Sequence, residues 1–217
     1  MTAESPAEPC AFCTIASSVP TFDPTTSESL GSSAYPAGFD LHNVILSTQS
    51  YLALLDIQPL VSAACHILLI PRMHYERISD FPTSSTTTAA AAADVNHDLG
   101  ELLALLGRAL RHSFRDVTDF NIVQNNGPAA GQIVSHVHFH IIARPTPDSI
   151  TTTADSRQSS SKLASPRLQY ASLIYGKGAR SDLDPDFARK TCDVLRRYVY
   201  RNYWYNKRQR MQPNSKL

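Results

Sequence analysis

The run "SHVHFHII", Ser135–Ile142, places histidines at alternate positions 136, 138 and 140 in an otherwise apolar stretch. Side chains on a strand alternate faces, so His136, His138 and His140 share one face while Val137, Phe139 and Ile141 take the other. Successive imidazoles then stand about 6–7 Å apart, from a rise of roughly 3.3 Å per residue. Neighbouring rings at that spacing can touch one phosphate. Charging all three together is penalised by repulsion, so at least one ring stays neutral near pH 7. A neutral imidazole is a nucleophile or a metal ligand. Three core histidines sharing a strand are the bland alternative, and each buried ring would need a hydrogen-bond partner. A metal-only reading is weakened because no Asp, Glu or Cys lies within the run.

The loop before the run narrows the chemistry. "NNGPAAGQIV" (125–134) combines glycines at 127 and 131 with Asn125, Asn126 and Gln132. Backbone N–H groups and side-chain amides of this kind can receive an anion without extra positive charge. A phosphate-receiving loop beside a row of imidazoles points to phosphoryl or nucleotidyl transfer. Cys10 and Cys13, spaced C-x-x-C, are a second chemistry-bearing pair; Cys65 and Cys192 are the remaining cysteines. In a reducing compartment such a pair suggests metal or redox chemistry rather than a structural disulfide.

These groups need a scaffold, and the apolar pattern outlines one. Residues 43–47, 51–57 and 66–71 read as short strands, as do 119–125 and 136–143. Between them Leu99, Leu102, Leu103, Leu106 and Leu110 recur at helical spacing over 94–114, an amphipathic helix. A basic, aromatic-rich helix is expected over 185–206, opening with Pro185. Its Tyr203, Trp204 and Tyr205 suit docking on the body or on a second copy better than stacking on nucleobases. The predicted class is α+β with a largely antiparallel sheet of about five strands, a long helix packed on it and an extra C-terminal helix. The expected organisation is a domain over 1–146 with low-complexity insertions at 16–40 and 82–93. A polar linker over 147–166 and a basic helical extension over 167–217 follow.

Composition bounds the setting. The 217 residues are 42% hydrophobic and 18% charged, with a formal net charge of +1. From Arg167 onward there are 12 Lys and Arg against 4 Asp and Glu, so the basic charge is concentrated there. Such an end suits a polyanionic partner or simply a solvated helix face. No apolar run approaches the roughly 20 residues of a membrane helix, and "MTAESPAEPC" does not read as a signal peptide. A cytoplasmic or nuclear location is expected.

Several pieces together resemble a known family. "GQIVSHVHFHII" is similar to the histidine-triad (HIT) motif, and "CAFC", "YLALLDIQP", "HILLIPRMHYERI" and "FNIVQNNGPAAGQ" precede it in the family's order. The resemblance implies a small α+β nucleotide hydrolase, usually homodimeric, acting on a purine nucleotide. It makes His138 the nucleophile toward the α-phosphorus and His140 a partner of the phosphate oxygens, with His136 the third catalytic-triad member. Asn125 and Gln132 resemble phosphate-side contacts, while Asp56 and Ile57 match positions for the ribose hydroxyls and the base. Members with an N-terminal C-x-x-C also imply a structural zinc, which here would use Cys10, Cys13, His66 and His136. Cys65 is expected to pack, and His42, His74, His97 and His112 to be surface or hydrogen-bonding residues.

The sequence also departs from the family. Ile133 stands where many hydrolytic members carry Ser or Thr, and the segment from Asp56 to His66 looks longer than usual. The expected reaction is hydrolysis of a nucleoside 5′-phosphoramidate or related conjugate. Alternatives are a dinucleoside polyphosphate hydrolase, a DNA-adenylate hydrolase, or a non-catalytic zinc-stabilised nucleotide-binding protein. Nucleic acid is not favoured as a partner, because no C-terminal Cys/His finger follows the triad.

Overall fold

The computed structural model describes residues 10–21, 40–83, 89–146 and 177–204. Five strands form one antiparallel sheet: β1 Val44–Ser47, β2 Tyr51–Leu55, β3 Cys65–Pro71, β4 Val117–Gln124 and β5 Phe139–Pro145. Their spatial order is β1-β2-β3-β5-β4. Among the described residues three α-helices accompany them: α1 Ala11–Ser18, α2 Ala89–Ser113 and α3 Pro185–Val199. This is the expected α+β architecture, with α1 added at the C-x-x-C segment.

Helices on both faces of the sheet explain why β2 and β3 read as continuous apolar runs rather than alternating ones. On one face, Tyr51, Ala53, Leu55, Ile67, Leu69, Phe139 and Ile141 pack against Leu102, Leu105, Leu106 and Leu110 of α2. Ala188, Cys192, Leu195 and Val199 of α3 join that same core. On the other face, Leu52, Leu54, Leu68 and Ile70 lie with Ala16 and Val19 at α1. The site forms on this second face, where α1 covers only part of the sheet.

The helix ends follow from local chemistry. Asp184 caps α3 by accepting from the Phe187 N–H at 2.7 Å, and Pro185 supplies the first turn. The α-helix ends at Val199 and continues as a π-turn over Tyr200–Trp204, with Tyr203 buried. Arg196 Nε donates to the Val44 carbonyl at 2.7 Å, tying α3 to β1. Residues 16–18, expected in an insertion, complete α1, and residues 89–93 begin α2. The expected linker over 147–166, residues 22–39 and residues 84–88 lie outside the described residues. Among the described residues no helix is long and apolar enough to cross a membrane.

Candidate active site and metal centre

The histidine run enters β5 from a loop. The ladder begins at Phe139, because the backbone before it is bonded elsewhere: Val137 N donates to the Tyr75 carbonyl at 2.7 Å. The facing pattern still holds. Val137, Phe139 and Ile141 belong to the core under α2, whereas His136 and His138 meet the Phe12 ring of α1 edge-on, at 5.8 and 5.2 Å.

Hydrogen bonds fix which nitrogen of each ring carries the proton. His138 Nδ1 lies 2.7 Å from the His136 carbonyl, which can only accept, so Nδ1–H donates and Nε2 keeps its lone pair. His66 Nδ1 accepts from the Leu60 N–H at 3.3 Å, which leaves the proton on His66 Nε2. That Nε2–H donates to His140 Nδ1 at 3.0 Å, so a neutral His140 carries its proton on Nε2. The site thus holds one ring with an Nε2 lone pair beside one with an Nε2–H, their centroids 5.0 Å apart. Burial keeps these rings uncharged: it lowers His138 and brings His140 to about 3 and His66 to about 4. At His140 the neighbouring His66, His138 and Arg180 add to the effect, whereas at His66 the Asp56 carboxylate opposes it.

His138 and His140 line a cleft of about 560 Å³ together with Asp56, Ile57, Asn125 and Ile133. Asp56 is buried at the end of β2. Its Oδ1 accepts from the Gln58 N–H at 2.9 Å, and its Oδ2 takes Arg180 Nη1 at 2.8 Å. Arg180 arrives on an extended strap, residues 177–184, that runs antiparallel to residues 57–61. Val61 N donates to the Ala179 carbonyl, Ser181 N to Pro59 and Leu183 N to Ile57. Gln132, expected beside the phosphate, is instead turned into its own loop. Its Oε1 accepts from Gly127 N at 2.5 Å, and its Nε2 donates to the Glu76 carbonyl at 2.7 Å. It shapes the loop, while Asn125 and the backbone near Gly131 face the cleft.

His136 turns away from this cleft. Its Nε2 donates to the Pro71 carbonyl at 2.9 Å, leaving Nδ1 free 3.5 Å from both Cys10 Sγ and Cys13 Sγ. His74 Nδ1 lies 3.2 Å from Cys13 Sγ. Cys10, Cys13, His74 and His136 therefore bring two thiols and two imidazoles within 4.8 Å of one another, a set that could hold a metal ion. The Pro71 carbonyl supplies the outer hydrogen bond that orients a ligating imidazole. Burial and the Cys10 thiol raise Cys13, the expected response of a thiol with no cation beside it.

The fourth member of this set is His74, where the sequence reading placed His66. The cause is register. His66 pairs with Ile142, far along β5 from residue 136, while His74 follows the other end of β3, next to the Tyr75–Val137 bond. His66 sits with Asp56 and His140 instead. Lys177 and Arg180, drawn from the basic C-terminal stretch into the cleft lining, had no sequence signal beyond charge.

Residues 41–146 match the HIT domain family. An uncharacterized HIT-like protein of Methanocaldococcus jannaschii is 35% identical over 101 residues, 46% of this chain and 67% of that protein. The chain belongs to the HIT family. Among its HIT relatives, the adenylylsulfatase HINT3 of Arabidopsis thaliana is 32% identical over 123 residues, 57% of this chain and 56% of that one. The adenosine 5′-monophosphoramidase HNT1 of Saccharomyces cerevisiae is 34% identical over 100 residues, 46% of this chain and 52% of that one. The chain thus spans about half the length of these two relatives. The HIT fold is shared with a Zn-bound histidine-triad protein from Mycobacterium smegmatis, at TM-score 0.50 and 22% identity over 88% of this chain and 94% of that one.

Proposed function

We propose that this HIT protein is a nucleotide hydrolase that cleaves a nucleoside 5′-phosphoramidate or related nucleotide conjugate to the nucleoside monophosphate. The observation that carries the reading is the proton order at the triad. His138 keeps an Nε2 lone pair because its Nδ1–H is held by the His136 carbonyl. That lone pair attacks the α-phosphorus as the bond to the leaving group breaks; the bonding electron pair departs with the group, an amine taking up one proton from solvent, and a nucleotidyl-histidine forms. Water then forms the new P–O bond and returns one proton to solvent, the bond from phosphorus to His138 Nε2 breaks, and the ring recovers its lone pair. His140 Nε2–H donates to the phosphate oxygen on which negative charge builds. Asp56 and Ile57 receive the ribose and a purine base, and Asn125 joins the backbone near Gly131 on the phosphate side. His136 acts through its carbonyl, and Gln132 by holding the loop.

In the same reading the second cluster holds a structural zinc through Cys10, Cys13, His74 and His136. Two thiolates and two imidazoles form a closed set suited to tying α1 to the loop before β5. Homodimeric assembly is carried over from the family resemblance. The test is His138→Asn against adenosine 5′-phosphoramidate: turnover falls about a thousandfold or more while the circular dichroism spectrum is kept. Turnover within tenfold of wild type would remove the nucleophile assignment.

A further inference from the structure

The strap brings two cations to a cleft whose phosphate-side groups are otherwise neutral. Arg180 is committed, to the Asp56 carboxylate and to the Gln58 carbonyl. Lys177 is not: among the described residues no carboxylate forms an ion pair with it. Its ammonium passes over the phosphate-side loop, with Nζ 2.9 Å from where a Cβ on Gly131 would lie. Gly131, at φ 85°, is the residue that leaves room for it. Both cations line the same cleft as His138 and His140. No serine, threonine or tyrosine is among the described residues lining that cleft.

We infer that Lys177 binds the negatively charged leaving group of the substrate, so that among the conjugates open to the proposed hydrolase those joined by an anhydride to sulfate or to a phosphate chain are favoured over the phosphoramidate. The inference rests on the hydrolase reading and names its substrate class. The balance of the step supports it. As His138 Nε2 forms the N–P bond, the bridging P–O bond breaks and its electron pair leaves on the anion. Sulfate or a phosphate chain departs without taking up a proton, whereas an amine has to gain one. The anionic group gains charge as it leaves, and an ammonium beside it is stabilising where a neutral loop is not. Ile133, 94% exposed at the cleft, contributes no proton and none is required.

The test measures kcat/KM of the full chain and of Lys177→Met on three substrates: adenylyl sulfate, diadenosine triphosphate and adenosine 5′-phosphoramidate. The loss on at least one anhydride is expected to exceed the loss on the phosphoramidate by about tenfold or more, the size of one charge-assisted contact. Lys177→Arg should recover most of it. A loss confined to adenylyl sulfate identifies a small oxyanion, and one confined to the triphosphate identifies a phosphate chain; each supports the inference. Equal losses on all three, or none, overturn it. If those equal results accompany wild-type turnover that His138→Asn abolishes, the hydrolase reading survives and only the role of Lys177 falls. A wild-type protein that cleaves none of the three removes both.

Discussion

At the scale of single residues, the proposed chemistry depends on where three protons sit. The Leu60 N–H points at His66 Nδ1, which sends the His66 proton to His140 and leaves the His140 proton on Nε2. Replacing His66 with alanine removes that donor and frees His140 to take either tautomer. We expect kcat on a nucleotide conjugate to drop by about ten- to a hundredfold with a smaller change in KM, read from steady-state kinetics. An unchanged kcat would show that His140 needs no partner. This fine structure was only partly legible in the sequence. Alternation fixed which residues of the triad share a face, because that needs only the period of a strand. The partners of the rings depend on neighbours such as Leu60, and no spacing within "SHVHFHII" encodes them.

At the scale of elements, α1 is held over the loop before β5 by its two sulfurs. Cys10 is the residue just before the helix and Cys13 lies one turn later, so both thiols fall on one side. On the proposed zinc reading, Cys13→Ser is expected to release the metal and to lower the melting temperature, because α1 then keeps its apolar contacts at Phe12, Ile15, Ala16 and Val19 and the Arg72 hydrogen bond to the Ala16 carbonyl but loses its metal tie. Metal content by mass spectrometry, with thermal melts of both proteins, checks this; a variant that retains one ion per chain would sink the ligand set. The C-x-x-C pair was visible in the sequence, and so was His136 as a partner. His66 was expected in the place His74 takes, since the two stand toward opposite ends of β3 and only the pairing of β3 with β5 says which end meets residue 136.

At the scale of the whole molecule, the C-terminal helix is part of the core. Leu195 is fully buried in the same cluster as Leu106 of α2 and Ile67 of β3. Leu195→Ala should therefore cost about 2–5 kcal/mol of unfolding free energy in urea melts, as for a central core leucine. A loss below about 0.5 kcal/mol, typical of a surface change, would mean that α3 is a dispensable appendage. Stability should also fall on acidification. An unfolded chain protonates its histidines near 6.5, whereas His66 resists down to about 4, so the folded state binds fewer protons in between. The contribution is intact above pH 6.5 and is lost as pH drops toward 4, at up to about 1.4 kcal/mol per pH unit from His66 alone. Urea melts at pH 7 and pH 5 measure it; equal stability would contradict a neutral buried His66. The sequence outlined the five strands and both long helices because their apolar periods are local. It did not reveal that residues 177–184 return to residues 57–61, since that pairing is decided by backbone N–H and carbonyl groups every residue possesses. The return has a thermodynamic consequence. The strap is bonded to the segment that carries Asp56 at one end and leads straight into α3 at the other, so opening of the cleft is expected to be coupled to loosening of the core. A molecule that fills the cleft then stabilises the entire fold by mass action, and the melting temperature itself becomes a gauge of occupancy.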